Sequence, residues 1–150
     1  MVISPKKLVL NLILSHASPE EVAQGFALGT FISMTPLLGL HTLLAVIAAA
    51  LLKKNEIATI LGAWVVNPLT LFPIYYFTYR MGHLILGTPH SKELRPESIK
   101  DFFHIGANLM RPLWIGGLFV GLISAIVGYY LMLWLYPLIK AKIHRHRAAP

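Results

Sequence analysis

The stretch AWVVNPLTLFPIYYFTY, residues 63–79, decides how this chain folds. It lies inside an uncharged run of 23 residues, 57–79, which is long enough for a membrane-crossing helix. Asn67-Pro68 interrupts the run near its centre, and Pro73 follows five residues later. A proline inside a helix removes a backbone hydrogen bond, and a bilayer core contains no water to replace it. The protein itself must therefore satisfy the backbone at this interruption.

The composition is that of an integral membrane protein. Of the 150 residues, 56% are apolar and 13% are charged, against about 25% charged residues in a typical soluble domain. The mean hydropathy is +0.65. Three uncharged runs, 22–52, 57–79 and 112–139, are each longer than the roughly 18 residues that indicate a membrane span. We predict a single all-α membrane domain over residues 1–150.

The positive charge of the chain is distributed as in a membrane protein. The net charge is +7, and short basic clusters at 6–7, 53–54 and 140–147 flank the uncharged runs. The positive-inside bias and anionic lipid headgroups account for clusters in these positions. We therefore expect membrane lipids and not nucleic acid as partners, and a multi-pass chain with both termini in the cytoplasm.

The sequence has no cysteine, which excludes disulfides, thiolate metal sites and cysteine nucleophiles.

Two helix starts are expected near the N-terminus. Residues 1–17 form an apolar segment with one narrow polar stripe, which predicts an amphipathic helix in the membrane interface. Ser18-Pro19, with Glu21 three residues after the serine, has the pattern of a capping box that opens a second helix.

The first uncharged run predicts a hairpin of short helices. As one helix its 31 residues would extend about 46 Å, against about 30 Å of hydrocarbon, and two full crossings need about 40 residues. Pro36 divides the run near its middle, so we predict helices at about 19–34 and 36–52.

The second run repeats this arrangement around Pro68, with Asn55 as the expected cap of its first helix. In both runs a side-chain acceptor precedes the proline, Thr35 before Pro36 and Asn67 before Pro68. Such a residue can accept from a free backbone N–H, and proline at the first helical position removes another. We predict that these prolines are structural breaks in two hairpins of residues 18–87 that form a weak internal repeat. The hairpins either cross the membrane or re-enter it.

The last third is expected to contain one ordinary transmembrane helix. Residues 88–111 read as a polar loop with a short amphipathic helix from about 96 to 110, residues 112–139 as a single-pass helix, and residues 140–150 as a basic tail. A stripe of small residues on the long helix favours close packing against another helix. We expect it to mediate a homo-oligomer or contact with a larger membrane complex; the alternative is packing on Ala45, Ala48 and Ala49. The stripe consists of Gly117, Gly121, Ser124/Ala125 and Gly128.

Two motifs resemble a known bacterial family. SPEEVAQGFALGTFISMTPLLGLHTLLA, residues 18–45, and LGAWVVNPLTLFPIYYFTYRMG, residues 61–82, resemble the family called domain of unknown function 2062. The resemblance covers about residues 18–87 and implies a small inner-membrane protein, with some relatives fused to glycosyltransferases. At position 41 this chain has His where the family pattern has Gln, so a strict amide role does not carry over.

The polar residues at the two breaks are the candidate site. Two helix N-termini meeting inside the membrane would favour an anion, and paired broken helices are the best sequence indication of a transporter site. The alternative is local: capping residues, and hydroxyls that bond back to the backbone. We expect no metal, no cofactor and, since no catalytic motif is present, no enzyme. The candidate substrate-binding residues are Thr35, His41, Thr42, Asn67, Thr70 and Arg80.

We expect a transporter or translocase that binds an anionic or amphipathic substrate, such as a lipid-linked phosphate, at the paired helix N-termini. The alternative is a non-transporting accessory or scaffold subunit that binds lipid and packs within a larger membrane complex. They differ in one observable: the polar side chains at 35, 41, 67 and 70 either converge on a cavity or bond to their own backbone.

Overall fold

The computed structural model describes residues 17–37, 39–87 and 99–148, with the side chains of 99–108 and 142–148 excepted. These residues form five helices and no strand, so the all-α prediction is confirmed. The predicted interfacial helix of residues 1–17 lies almost wholly outside the described residues, as do residues 88–98 of the predicted polar loop. The helices are α1 (Pro19–Ser33), α2 (His41–Leu51), α3 (Glu56–Ala63), α4 (Leu71–Leu86) and α5 (Ile99–Ala148).

Helix α1 begins at the predicted capping box. The Glu21 N–H donates to Ser18 Oγ over 3.2 Å, and the Ser18 N–H donates to Glu21 Oε2 over 2.9 Å. Because Pro19 has no N–H, it leaves no further donor unsatisfied at the first position. This helix start is therefore determined locally, by residues three positions apart.

The turn after α1 differs from the predicted one. We expected the second helix to begin at Pro36, but it begins at His41. Thr35 does not cap it, because its hydroxyl donates backwards to the Ile32 carbonyl at the end of α1, over 2.7 Å. The chain then turns through Gly39, which has a φ of +80° that favours glycine.

Glycines let the backbones of α1 and α3 touch. A methyl group built on Gly29 would overlap the Thr59 carbonyl oxygen, and one on Gly62 would overlap that of Phe26. Gly25 lies against the beginning of α3 and Gly29 against its later turns, so the two helices are parallel. Any larger side chain at these glycines would force the helices apart.

Helix α5 runs antiparallel to both α1 and α4. Gly117 faces Met34 and Gly128 faces Phe26, so residues later in α5 lie against residues earlier in α1. In the same way Pro112 lies against Gly82, and residues further along α5 lie against earlier residues of α4. The small-residue stripe of α5 thus packs on α1 of the same chain and not on the alanines of α2.

The directions of the helices correct the second predicted hairpin. Since α3 is parallel to α1, and both α1 and α4 are antiparallel to α5, α3 and α4 run in the same direction. The break at Asn67-Pro68 therefore offsets one passage of the chain and does not reverse it, whereas the break after α1 does reverse it. The two breaks differ, and the predicted internal repeat and membrane re-entry are not confirmed.

Helix α5 is one continuous helix where we predicted a short amphipathic helix, a separate transmembrane helix and a tail. It continues through Pro112 and Pro137 and reaches Ala148. Its segment Leu109–Ala141 is, in the described part of the chain, the one helix long and apolar enough to cross a membrane. Only 17% of its most apolar window is buried, unlike the core helix of a soluble protein.

Large apolar side chains cover much of the outer surface. Leu69 is 89% exposed, Phe72 79% and Trp134 67%. The fully buried side chains are small by comparison, the largest being Val22 and Thr59. Soluble monomers rarely expose apolar surface on this scale, and extensive patches indicate a membrane or a protein partner. The chain buries small residues between helices and presents large ones outwards.

Candidate functional site

Asn67 and Thr70 close a compact turn in front of α4. Asn67 Oδ1 accepts from the N–H groups of Leu69 (2.9 Å) and Thr70 (3.2 Å), as a helix cap does. The Thr70 hydroxyl accepts from the Asn67 N–H over 2.9 Å and donates to the Val65 carbonyl over 2.7 Å. Asn67 therefore stabilises the turn before α4 but does not cap the helix as predicted, because α4 begins at Leu71 and Thr70 occupies its N-cap position without a side-chain cap hydrogen bond.

This turn leaves little capacity for an anion at the start of α4. The Asn67 side chain holds two of the leading N–H groups, and the Asn67 carbonyl accepts from the Leu71 N–H over 2.8 Å. Pro68 and Pro73 have no N–H to offer. The N–H groups of Leu69, Thr70 and Leu71 are thus satisfied within the break itself, which a break inside a bilayer would require.

Thr35 and His41 meet at a third residue, Tyr75 of α4. The Tyr75 hydroxyl donates to the Thr35 carbonyl over 2.9 Å and lies 3.5 Å from His41 Nε2. His41 is 8% exposed. The backbone of Ile32 is close enough to interact electrostatically with the imidazole ring. Nδ1 nevertheless has no partner with hydrogen-bond geometry among the described residues. This contact joins the turn after α1 to the beginning of α4.

The two polar groups remain separate. In the described parts of the chain, no hydrogen bond links Asn67 or Thr70 to His41 or Tyr75. Thr42 is exposed at the start of α2. Arg80 is also exposed, and its guanidinium lies 6.0 Å from the centre of the Tyr76 ring and 3.4 Å from the Tyr76 hydroxyl. The six predicted site residues therefore form two local groups and two surface positions.

Tyr75 is the site residue that we did not predict. It lies in residues 75–79 of the second quoted motif, where the sequence offers four tyrosines or phenylalanines and no reason to prefer one. A helical pattern would have helped: Tyr75, Thr78 and Gly82 recur at spacings of three and four, so they share one face. Gly82 and the Thr78 backbone contact α5, which directs this face inwards.

Three lysines of the described chain, Lys53, Lys54 and Lys140, lie at one end of the bundle. The Tyr136 hydroxyl donates to the Ala17 carbonyl over 3.4 Å, so the beginning of α1 and the late part of α5 adjoin. Lys54 reaches α1 through Gln24, with 2.7 Å between Nζ and Oε1. Lys140 Nζ lies 5.5 Å from the centre of the Tyr136 ring. The basic clusters at 53–54 and 140–147 were predicted to lie on one side of the membrane. Their described members, Lys53, Lys54 and Lys140, lie at the same end of the bundle.

Comparison with known proteins gives one family and no closer relative. A family model described as an uncharacterized protein conserved in bacteria (DUF2062) matches residues 4–146. The match extends well beyond the 18–87 region in which the motifs were read. No curated protein matches, and no solved structure does.

Proposed function

This chain belongs to the DUF2062 family of bacterial proteins, and we propose that it is a non-transporting accessory subunit of the inner membrane. It binds lipid and packs against the helices of a larger membrane complex. It passes the membrane several times, and both of its ends face the cytoplasm.

One observation favours this accessory role over a transport function. The polar side chains at three of the four diagnostic positions bond to nearby backbone: Thr35 to Ile32, Asn67 to the turn that follows it, and Thr70 to Val65. A group whose hydrogen bonds are already satisfied must break them to hold a substrate, at a cost of about 1–3 kcal/mol for each buried group left unpaired. Such residues favour a structural role for the breaks.

The distribution of apolar and charged groups supports the membrane location. The exposed side chains of α4 and α5 are large and apolar, which suits lipid tails or partner helices. Lys53, Lys54 and Lys140 gather at the end that also contains the start of α1, which agrees with both ends on the cytoplasmic side.

A transporter or translocase for an anionic amphiphile remains the second candidate, because of His41. This imidazole is buried, lies between the two breaks and has a ring nitrogen with no hydrogen-bond partner among the described residues. Ionisable side chains inside a membrane are functional more often than their number suggests. In this account His41 and Tyr75 would hold the phosphate of the substrate.

A vesicle assay separates the two candidates. The protein is reconstituted into liposomes that contain phosphatidylglycerol with a fluorescent headgroup label, and dithionite is added outside. An accessory protein leaves the inner-leaflet label protected, so about half of the fluorescence survives, as in protein-free vesicles. Complete bleaching by the wild type, lost in Tyr75→Phe, would overturn the accessory proposal in favour of translocation.

Topology can be tested without background, because the natural sequence has no cysteine. Single cysteines replacing Lys53 and Lys140 should both react with an impermeant maleimide in inverted membrane vesicles and be protected in intact cells. The wild type is the matched control and should not react. Labelling of either position in intact cells with a sealed inner membrane would contradict the proposed orientation.

A further inference from the structure

A groove lies between α1 and α5, and none of the candidate substrate-binding residues lines it. It is a shallow, open groove of about 530 Å³, a volume within the usual range of about 300–1,000 Å³ for small-ligand sites. Its walls are mainly apolar, and Gln24 and Lys54 lie at one end. The wall residues that matter below are Ala27 of α1 and Ala125, Ile126, Tyr129 and Tyr130 of α5.

A polar cavity adjoins the apolar groove. It encloses about 260 Å³ and is lined by Glu21, Gln24, Lys53, Lys54 and Asn55. Gln24 and Lys54 line both spaces. The two together form one elongated site that is polar at the basic end of the bundle and apolar towards its middle.

The lysine at the junction is held in place but not neutralised. Lys54 Nζ donates to Gln24 Oε1 over 2.7 Å, and no carboxylate of the described residues pairs with it. The acidic side chain that lines the cavity, Glu21, accepts from the Ser18 N–H in the capping box. The site therefore offers ammonium charge from Lys53 and Lys54 next to apolar surface.

We propose that this site holds an anionic phospholipid, with one acyl chain in the groove and the phosphate at Lys53 and Lys54. Charge complementarity selects the headgroup, and the apolar walls accept the tail. Tyr129 and Tyr130 lie between the two ends, where amphipathic rings are favoured at the membrane interface. The inference deepens the proposed lipid-binding function and rests on the membrane location.

The test measures lipid retention by native mass spectrometry. The full chain is exchanged into mild detergent with equal amounts of phosphatidylglycerol and phosphatidylcholine of identical acyl chains. The wild type should retain one lipid and prefer phosphatidylglycerol. Lys54→Gln should lower this preference about five-fold, the effect expected of one lysine near an anionic headgroup. Equal retention of the two lipids by the wild type would overturn the proposal.

A charge-matched control distinguishes a site from a general surface potential. Lys140→Gln removes the same charge from the same end of the bundle, but Lys140 lies over Tyr136 and does not line the groove. It should leave the preference within two-fold of wild type. If it lowers the preference as much as Lys54→Gln does, the lysines act as a diffuse charge and the specific site is wrong.

A second pair of variants tests the groove itself. Ala125→Phe fills the apolar space and should lower retention of both lipids alike while keeping their ratio. Ala50→Phe adds the same ring at an exposed position of α2 outside the groove, and should change neither quantity. Circular dichroism confirms that each variant is folded. Undiminished lipid retention by a folded Ala125→Phe would exclude the groove as the binding site.

The membrane location is checked separately. Alkaline carbonate releases peripheral proteins and leaves integral ones in the membrane pellet. Release of the wild type would refute the membrane function on which the site rests. A protein that stays in the pellet but shows no effect of Lys54→Gln would refute only the lipid site.

Discussion

The turn in front of α4 gives the sharpest prediction, through Asn67→Leu. The substitution removes the acceptor for the Leu69 and Thr70 N–H groups, at 2.9 and 3.2 Å. Losing a cap costs about 0.5–2 kcal/mol in water, and an unsatisfied N–H in hydrocarbon costs several. Because Thr70 is partly buried, we expect a loss of about 2 kcal/mol in the free energy of unfolding.

Thr70→Val provides the other half of a double-mutant cycle. It leaves the Val65 carbonyl without its 2.7 Å donor and the Asn67 N–H without its acceptor, at an expected cost of about 2 kcal/mol. Since both side chains stabilise the same turn, the double variant should cost less than the sum of the singles. We expect a coupling of about 1 kcal/mol.

Unfolding by SDS in mixed micelles, followed by far-ultraviolet circular dichroism, measures all four proteins. Asn67→Asp and Thr70→Ser are the matched controls, because each keeps the oxygen that makes the short hydrogen bonds. They should lose less than half as much stability as the apolar variants. An Asn67→Leu protein that unfolds at the wild-type SDS fraction, or strictly additive losses, would refute the reasoning.

Three further predictions concern packing and backbone. Gly29→Leu inserts a side chain where the α1 and α3 backbones touch and should destabilise the protein by at least about 3 kcal/mol by the same SDS assay; wild-type stability would contradict the described crossing. Gly121→Leu should lower stability without changing the mass of the species in native mass spectrometry, since Phe31 and Met34 fill that space in the same chain. A stable protein that shifts to smaller species would restore the intermolecular interpretation. Lys53→Gly should raise the unfolding free energy by about 1 kcal/mol, because a φ of +52° strains lysine and not glycine; Lys54→Gly is the control, and an equal gain there would refute the explanation.

Local hydrogen bonds made parts of the fold predictable from the sequence. The capping box at Ser18, the cap at Asn55 and the turn at Asn67 join residues two or three positions apart, so the residue types and spacing suffice. Asn55 Oδ1 accepts from the Ala58 N–H over 2.9 Å, at the predicted start of α3. The positions of the chain breaks followed from the same reasoning.

The direction of each helix and the helices that it packs against depend on contacts between residues distant in sequence, which the sequence alone did not reveal. Thr35 and Asn67 look equivalent before their prolines, yet one chain segment turns back and the other continues. The continuation places Tyr75 against Thr35, 40 residues earlier. Pro112 was read as the start of a helix but lies within α5, buried against Gly82 of α4. Sequence periodicity identifies a face of a helix but not what packs on it, so the glycine stripe left an oligomer, a larger complex and packing on α2 open, and did not indicate α1.

The packing of α5 on α1 sets an order for biosynthesis. The contact between Tyr136 and Ala17 joins residues 119 positions apart. At about 5–20 residues per second, the ribosome needs about 6–24 s to make the intervening chain. For that time the face of α1 that receives the glycines of α5 lacks the cover that α5 provides in the finished chain. The interface that closes the monomer is therefore the last to form, and truncation before α5 should expose the nascent protein to membrane proteases.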